Sequence, residues 1–538
     1  MKRNLHFTIL ILSLLILANC ARTGRPEGGP KDENPPLFVT AKPPYKTLFF
    51  KEKEIRIDFD EFVRLKDINK QLIVSPPLKN PPLITPQGAP SKQIKIKILD
   101  TLQENTTYIF NFGNAVEDNN ESNILENFSY VFSTGDYIDS LTTKGEVKDA
   151  LEIINKKNVS LLLYRLDSTY NDSIIYKQKP NYVTKTQDSI RFNFSNLRKG
   201  KYKMYALSEE ISDYIFNPET DAVGFLSDTI TLPQDSIVTK PLIYFKEMLP
   251  FDFNRGKEVS KGKIQFGFRG DRKGFTVNLL SKVSDSFASI AKYEQGKDTL
   301  NYWFTPIERD SLNFIVSKDE FIDTVTVRLR KKKFDSLTVK SSVSRVFHLR
   351  DTFYFLTNNP ILKTDSTKIS IVDIDTLDVP FKVMNSPKEN KVALIFDKKP
   401  QQLYRIKADP NALEDIYKVS HDTIYFKLIT KEIEDYGRIT LRVNNVEKKN
   451  LIIELLSGRN QDQLVERRLI SESSQLVFDL LEPKKYTVRA IIDDNQNNKW
   501  DTGNLLQKKQ PERIIYHPEL REFELRANYF LEEIFIIN

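Results

Sequence analysis

Short stretches in which apolar and polar residues alternate run through almost the whole chain. Every second residue is apolar in Glu54–Phe59, in Gln93–Ile98 and again in Thr324–Leu329. Because successive side chains of a strand point to opposite faces, a period of two predicts strands with one buried and one solvated face. Long helical periodicity is nearly absent, and Asp, Asn, Ser and Pro cluster roughly every ten residues. We therefore predict an all-β protein made of tandem antiparallel β-sandwich domains.

Two internal repeats indicate how the strands are grouped. Asn114–Asp118 recurs as Asn411–Asp415, and each copy follows a strand that begins with Tyr. Phe194–Tyr202 recurs as Phe478–Tyr486. Several matched positions at one offset favour duplicated units, with convergent turn sequence as the alternative. The predicted domains are 37–136 and 346–445 for the first pair, 143–247 and 446–538 for the second, and a further sandwich at 248–345.

The N-terminus carries a targeting pattern. Positive charges at Lys2 and Arg3 precede the apolar run Phe7–Ala18, which is too short for a comfortable membrane span. Leu17-Ala18-Asn19-Cys20 follows, and Cys20 is the only cysteine. This sequence resembles the lipobox of bacterial lipoproteins, which implies a signal peptide at 1–19 and lipid on Cys20. A buried free thiol behind an uncleaved anchor is the alternative.

The residues after Cys20 predict an extended tether at 20–36, because they are rich in Gly, Pro and charge. Within it, Gly28–Pro36 resembles a signature of multi-domain lipoproteins of the Bacteroidota. That resemblance implies lipid anchoring at the outer membrane, and it leaves open whether the protein faces the periplasm or the cell surface.

Two further resemblances concern the repeated units. The first unit resembles the bacterial Ig-like domain of S-layer-type proteins, through Asp58–Val63, Tyr108–Phe110 and Phe128–Ser133. The second resembles the prealbumin-like or carboxypeptidase-regulatory-like sandwich, through Leu197-x-x-Gly200-Lys201-Tyr202, although Lys484 replaces the Gly in the later copy. Both resemblances imply modules that hold, space or bind rather than catalyse.

The amino-acid composition excludes several classes of function. One Cys among 538 residues rules out a disulfide framework and a Cys-based zinc cluster. Four scattered His and 18 Gly argue against a Ser/His/Asp triad and phosphate-binding loops, and no nucleophile elbow or His-Glu-x-x-His motif occurs. Loss of Lys2 and Arg3 with the signal peptide would lower the net charge from +7 to +5. An exported chain with this mild charge predicts no nucleic-acid partner.

One loop offers candidate metal ligands. Asp493, Asn495, Asn497 and Asp501 supply oxygen atoms at the first, third, fifth and ninth places of a calcium loop. The sixth place is Asn498 where such loops have Gly, and the twelfth is Asn504 where they have Glu. The alternative is a polar turn held by Asx hydrogen bonds, with Trp500 packing the loop onto the sandwich. Calcium is therefore the one cofactor that the sequence suggests.

The predicted function is a lipid-anchored, non-enzymatic scaffold or assembly protein of the cell envelope, which presents its sandwiches to an envelope protein or glycan. A surface adhesin or carbohydrate-binding lipoprotein is the alternative, and it predicts exposed Tyr and Trp side chains on one concave face. A hydrolase would need acids that converge in a cleft.

Overall fold

The computed structural model describes residues 32–153, 158–186, 190–331, 333–447, 449–458, 460 and 462–537. The predicted signal peptide, Cys20 and the tether up to residue 31 lie outside these residues. The described chain forms forty strands and one four-residue helix, α1 (Ile68–Gln71). Short 3-10 turns lie at Ile174–Tyr176, Ser366–Lys368, Pro387–Glu389 and Ile433–Asp435. The all-β prediction is confirmed.

The first unit pairs two antiparallel sheets, in the orders β1-β2-β5-β4 and β3-β6-β8, with β7 paired to β2. Along β2 the apolar residues Ile55, Ile57 and Phe59 are buried, whereas the polar residues between them stay at least partly exposed. This is the one-sided burial that the alternating sequence predicts. The strands are β1 (Phe38–Lys42), β2 (Glu54–Leu65), β3 (Ile73–Ser75), β4 (Leu83–Thr85), β5 (Ser91–Lys97), β6 (Thr107–Asn111), β7 (Val116–Asp118) and β8 (Ser129–Ser133).

The second unit is one curled sheet in the order β11-β10-β13-β14-β16-β9-β12, with β15 paired to β13. Strand β10 is buried on both faces, because Leu161 and Leu163 enter one apolar cluster while Leu162 and Tyr164 enter another. The strands are β9 (Leu141–Asp149), β10 (Ser160–Arg165), β11 (Tyr182–Lys185), β12 (Arg191–Leu197), β13 (Gly200–Ser208), β14 (Ala222–Phe225), β15 (Ile230–Leu232) and β16 (Leu242–Phe245).

The third unit is a sandwich of two sheets, β17-β18-β21-β20 and β19-β22-β23, around an aromatic core. In that core the rings of Phe266 and Phe314 pack edge to face at 5.1 Å between centroids. The strands are β17 (Asp252–Ser260), β18 (Lys263–Arg269), β19 (Thr276–Leu279), β20 (Ser289–Tyr293), β21 (Thr299–Phe304), β22 (Ser311–Lys318) and β23 (Phe321–Arg328).

The fourth unit repeats the connectivity of the first. Its sheets are β24-β25-β29-β28 and β27-β30-β32, and the pair β26-β31 takes the place of β2-β7. Strand β24 pairs with β25, although the predicted domain starts only at 346. The strands are β24 (Val339–Ser341), β25 (Phe353–Thr357), β26 (Ile361–Thr364), β27 (Ile369–Val372), β28 (Lys382–Ser386), β29 (Lys391–Ile395), β30 (Leu403–Ala408), β31 (Leu413–Asp415) and β32 (Ile424–Ile429).

The fifth unit repeats the connectivity of the second: its first strand pairs antiparallel with its fourth and parallel with its last, as β9 does with β12 and β16. That first strand, β33, lies ahead of the predicted start at 446. The strands are β33 (Gly437–Asn444), β34 (Leu451–Ser457), β35 (Gln463–Ile470), β36 (Ser474–Leu481), β37 (Lys485–Ile492), β38 (Ile514–Tyr516), β39 (Phe523–Glu524) and β40 (Phe530–Ile536).

Each unit contacts the next one along the chain. Lys179 Nζ of the second unit donates to the Leu78 carbonyl of the first at 2.7 Å, and Arg269 of the third pairs with Glu219 of the second. The Tyr417 hydroxyl of the fourth unit donates to the Gly262 carbonyl of the third at 2.9 Å. His348 Nε2 lies 2.7 Å from the Leu480 carbonyl of the fifth unit.

Candidate functional site

The long connection between β37 and β38, residues 493–513, reaches back to the second unit and is called the docking segment below. Thr502 Oγ1 donates to the Lys246 carbonyl at 2.6 Å, and the Leu505 amide donates to Glu247 Oε1 at 2.5 Å. Gln510 Nε2 donates to the carbonyl of Phe225 at 3.0 Å. The fifth unit therefore contacts a partner more than two hundred residues away in sequence.

Apolar packing supports these hydrogen bonds. Leu505 is 5% exposed and joins Phe245 and Tyr205 in the apolar cluster on the outer face of the second unit, with Trp500 packed at its edge. A Cβ at Gly503 would lie 2.5 Å from Cζ of Phe245 and 2.6 Å from the carbonyl oxygen of Lys509. The approach is thus close enough to require glycine at this position.

A buried ion triad lies next to the docking segment. The Glu454 carboxylate is 2% exposed and accepts hydrogen bonds from Arg467 and Arg489, with contacts of 2.5 to 3.0 Å. Arg489 also donates to the Leu151 carbonyl of the second unit at 3.3 Å, and the Tyr516 hydroxyl donates to the same oxygen. The two arginines neutralise the buried Glu454 carboxylate, and this pairing holds Arg489 in place for its hydrogen bond across the interface.

The predicted calcium loop forms the start of the docking segment. Asp493 accepts the backbone amides of Asn497 at 3.0 Å and Asn498 at 2.8 Å. Asp501 Oδ2 accepts the side-chain amides of Asn495 and Asn497, the latter at 2.6 Å. Asn498, at the place where calcium loops have Gly, takes the left-handed conformation with φ of 63°. All four predicted ligands thus lie in one tight turn.

The loop holds this shape through its own hydrogen bonds, as the polar-turn alternative describes. The described residues contain no group of three or more His, Cys, Asp or Glu side chains arranged to hold a metal ion. The residues that supply oxygen are close together, but their oxygens already accept hydrogen bonds from within the loop. Calcium at Asp493, Asn495, Asn497 and Asp501 therefore stays a prediction.

Glu512 ties the two ends of the loop together. Its carboxylate accepts the backbone amides of Asp494 at 3.1 Å and Asp501 at 2.9 Å, and its carbonyl accepts the Trp500 indole N–H at 2.9 Å. Burial, together with the nearby charges of Asp501 and Asp493, raises the pKa of the Glu512 carboxyl. Sequence reasoning missed Glu512, because nothing in a Gln-Pro-Glu-Arg stretch marks it as a partner of a loop eleven residues earlier.

Sequence reasoning also missed Glu454, although a signal for it was present. It is the only charged residue in the apolar run Leu451–Leu456, and every residue of β34 is buried. A charge within such a run has to be paired, which points to arginine partners on the neighbouring strands. Arg467 on β35 and Arg489 on β37 are those partners.

The acidic loop of the first repeat is a structural feature in both of its copies. Asp118 is 1% exposed and its carboxylate accepts four backbone N–H groups, those of Asn120, Glu121, Ser122 and Asn123. Burial opposes ionisation of Asp118, but these donors lower its pKa below the usual range. The corresponding Asp415 accepts the amides of Tyr417 and Val419, both at 2.9 Å.

Two grooves lie between units. One of about 1010 Å³ separates the first unit from the second, and its rim carries Lys144, Lys185 and Arg191. Another of about 800 Å³ lies between the second unit and the docking segment and includes Lys148, Glu152 and Arg513. Both grooves are open to solvent and have charged as well as apolar residues in their lining, so they offer surface to a partner rather than an enclosed reaction chamber.

The predicted anchor at Cys20 lies outside the described residues. Within the part of the chain that the structure describes, no helix combines the length and apolar character needed to cross a bilayer.

Comparison with known proteins adds a family for the first unit. Residues 32–134 match the family model of the bacterial Ig-like domain. This match confirms the Ig-like resemblance of the first unit. No curated protein matches the chain.

Solved structures show only remote likeness. The chain resembles domains 1–6 of the surface layer protein SbsC, with a TM-score of 0.15 and 11% identity over 87% of this chain and 67% of that one. It resembles BcpA, the major pilin subunit of Bacillus cereus, with a TM-score of 0.15 and 10% identity over 74% and 99%. For the Group B Streptococcus pullulanase SAP the TM-score is 0.12, and the identity is 8% over 30% of this chain and 22% of that one. Likeness this weak carries no argument about function.

Proposed function

We propose that the protein is a lipid-anchored, non-enzymatic scaffold or assembly subunit of the cell envelope, attached to the outer membrane through Cys20. The Ig-like first unit and the lipobox-like Leu17–Cys20 support this proposal. The mechanism is positional: lipid holds one end of the chain, and the packed units present loops, edge strands and grooves to an envelope protein or glycan.

The observation that carries the proposal is the contact made by the docking segment. Hydrogen bonds from Thr502 and Leu505, the packing of Leu505 and the Arg489 bridge all tie the fifth unit to the second. Relative motion of the units would break these contacts together. Contacts of this kind keep the second and fifth units in fixed relative positions. Such rigidity suits a protein that holds a partner at a fixed place.

The placement of aromatic residues disfavours the adhesin alternative. Trp303 is 2% exposed, and Trp500 donates its indole N–H to Glu512 within the protein. Six of the largest fully buried side chains are Tyr, namely Tyr130, Tyr164, Tyr202, Tyr244, Tyr404 and Tyr486. Sugar recognition by stacking needs such rings grouped on one surface. The exposed Tyr side chains of the described residues are instead spread along the chain: Tyr45 and Tyr137 lie in or next to the first unit, Tyr425 in the fourth and Tyr529 in the fifth.

The anchor is tested by metabolic labelling with an alkyne fatty acid, comparing the parent with Cys20→Ala and Cys20→Ser. We expect label in the parent alone and a mature N-terminus that starts at Cys20. Equal labelling of all three proteins, or a mature chain that retains Met1 and a free thiol, would rule out the anchor.

The scaffold role is tested by in-cell cross-linking, followed by affinity capture of the tagged full chain from solubilised envelopes and mass spectrometry. We expect one or a few envelope proteins in near-stoichiometric amounts. Recovery without partners, or sugar turnover by the purified chain, would count against the proposal.

A further inference from the structure

Residues 37–50 run along one edge of the first unit and expose six large apolar side chains, in one group at 37–39 and another at 45–49. The segment pairs with β2 at its start and then follows β8, where the amides of Lys46 and Phe49 donate to the carbonyls of Val131 and Gly135, both at 2.9 Å. The backbone is thus held while the side chains face solvent. The exposed residues, called the apolar strip, are Leu37 (61%), Phe38 (39%), Val39 (59%), Tyr45 (42%), Leu48 (41%) and Phe49 (60%).

Single exposed apolar residues are ordinary, but two adjacent groups of them, joined by the contact of the Phe38 and Tyr45 rings at 6.4 Å between centroids, mark a surface with an occupant. Exposed lysines flank the second group in sequence, at Lys42, Lys46, Lys51 and Lys53, and Glu52 is the only acid between residues 37 and 53. Apolar side chains bordered by lysines suit the boundary between acyl chains and anionic headgroups.

The position of the strip relative to the tether identifies that occupant. Asn123 Nδ2 donates to the carbonyls of Asp32 at 2.9 Å and Asn34 at 3.1 Å, so the tether meets the first unit next to Leu37. Twelve residues separate Asp32 from Cys20, which limits their distance to at most ~40 Å. A lipid at Cys20 would therefore hold the strip close to the bilayer at high effective concentration.

We infer that the apolar strip lies against the lipid bilayer, an inference that rests on the lipid anchor of the proposed function. The anchor supplies the affinity and the strip sets the orientation of the first unit. The Leu37 amide is bonded to the Asp60 carboxylate at 2.8 Å, so acidic charge lies at that end of the strip. The lysine-flanked end, Tyr45–Phe49, is consequently the part that approaches anionic lipid most closely.

The test places a photoreactive diazirine amino acid at Leu48 or Phe49 of the full chain. The control position is Leu83 on β4, at the edge of the β1-β2-β5-β4 sheet opposite β1, where the side chain is 55% exposed. Each purified chain is irradiated with vesicles of phosphatidylethanolamine and phosphatidylglycerol, and lipid and protein adducts are quantified by mass spectrometry. The acylation state of Cys20 is read from the same spectra.

We expect lipid adducts several-fold more abundant at 48 and 49 than at 83. Equal yields at all three positions, or adducts to protein rather than lipid at 48 and 49, would overturn the inference. A chain without lipid on Cys20 would overturn the proposed anchor, and the adduct ratio would still decide on the strip, because the vesicles present a bilayer in either case.

Discussion

Truncation of Leu505 to alanine tests whether the docking segment fastens the fifth unit to the second. The side chain is 5% exposed and packs against the cluster that contains Tyr205 and Phe245. Leu→Ala at buried sites costs about 2 to 5 kcal/mol, depending on how far the site collapses. A connecting segment can relax more than a strand, so the lower part of that range applies, about 2.5 kcal/mol. The open population should then rise ~70-fold.

The assay is hydrogen exchange of the full chain, followed by mass spectrometry of peptides from residues 493–513. The Leu505 amide donates to Glu247, so its exchange reports the open state directly. Leu506→Ala is the matched control, because this neighbour has the same side chain but is 57% exposed. We expect faster exchange across the docking segment in Leu505→Ala and parental rates in Leu506→Ala.

The reasoning fails if the two variants exchange alike, because Leu505 would then contribute no more to the contact than an exposed leucine does. It also fails if Leu505→Ala accelerates exchange equally in every unit, since that result would indicate global unfolding rather than local release of the segment.

Four further outcomes are expected. Glu454→Gln leaves two arginines without a counter-charge and should cost about 3 kcal/mol in urea denaturation. His517 Nδ1 accepts two backbone amides and burial lowers its pKa below 6.5, so stability should decline as pH falls below 6.5, and His517→Asn should weaken that decline in thermal melts. Because the pKa of Asp118 is lowered in the folded state, ionised Asp118 stabilises the fold above pH 3.8, its pKa in the unfolded chain, and this stabilisation is lost as pH falls through the folded pKa. Asp118→Ala should therefore reduce the loss of stability in acid. If the 493–501 loop binds calcium, calcium should raise the melting temperature of the parent but not of Asp493→Ala.

Each of these has a control or a contradicting result. Glu532→Gln alters a carboxylate that is 70% exposed and should leave stability unchanged. A His517→Asn curve that overlays the parent as pH falls below 6.5 would exclude this histidine as a titrating group. Parental acid lability in Asp118→Ala would mean that other carboxylates dominate. A melting temperature that calcium leaves unchanged would show that hydrogen bonds alone shape the loop.

The strands could be predicted because burial on one face leaves a period of two in the sequence. Continuous apolar runs indicate a different kind of strand, one that is buried on both faces, as Leu161–Leu163 on β10 and Leu451–Ile453 on β34 are. Such runs indicate that something covers the outer face. They do not indicate which residues cover that face. Over β10 the covering residue is Leu505, which lies more than three hundred positions away in sequence and contacts the strand only in the folded chain.

The edges of the units were harder to predict. The repeats mark where two copies remain similar, whereas a unit begins where its first strand starts to pair. Strands β24 and β33 lie ahead of the predicted starts at 346 and 446, because their partners β25, β36 and β40 lie beyond those points in sequence. Of the docking segment, the sequence predicts only the 493–501 loop, as a calcium site or a polar turn, since the contacts with Lys246, Glu247 and Phe225 depend on the second unit.

The contact between the second and fifth units turns four consecutive modules into a closed ring, because every neighbouring pair within it also touches. A ring can be cut once without falling apart. A single protease cleavage between the third and fourth units would leave two fragments that travel together under native conditions. Tension applied between the first and fifth units would pass through the single junction between the first and second units and then divide between two routes around the ring.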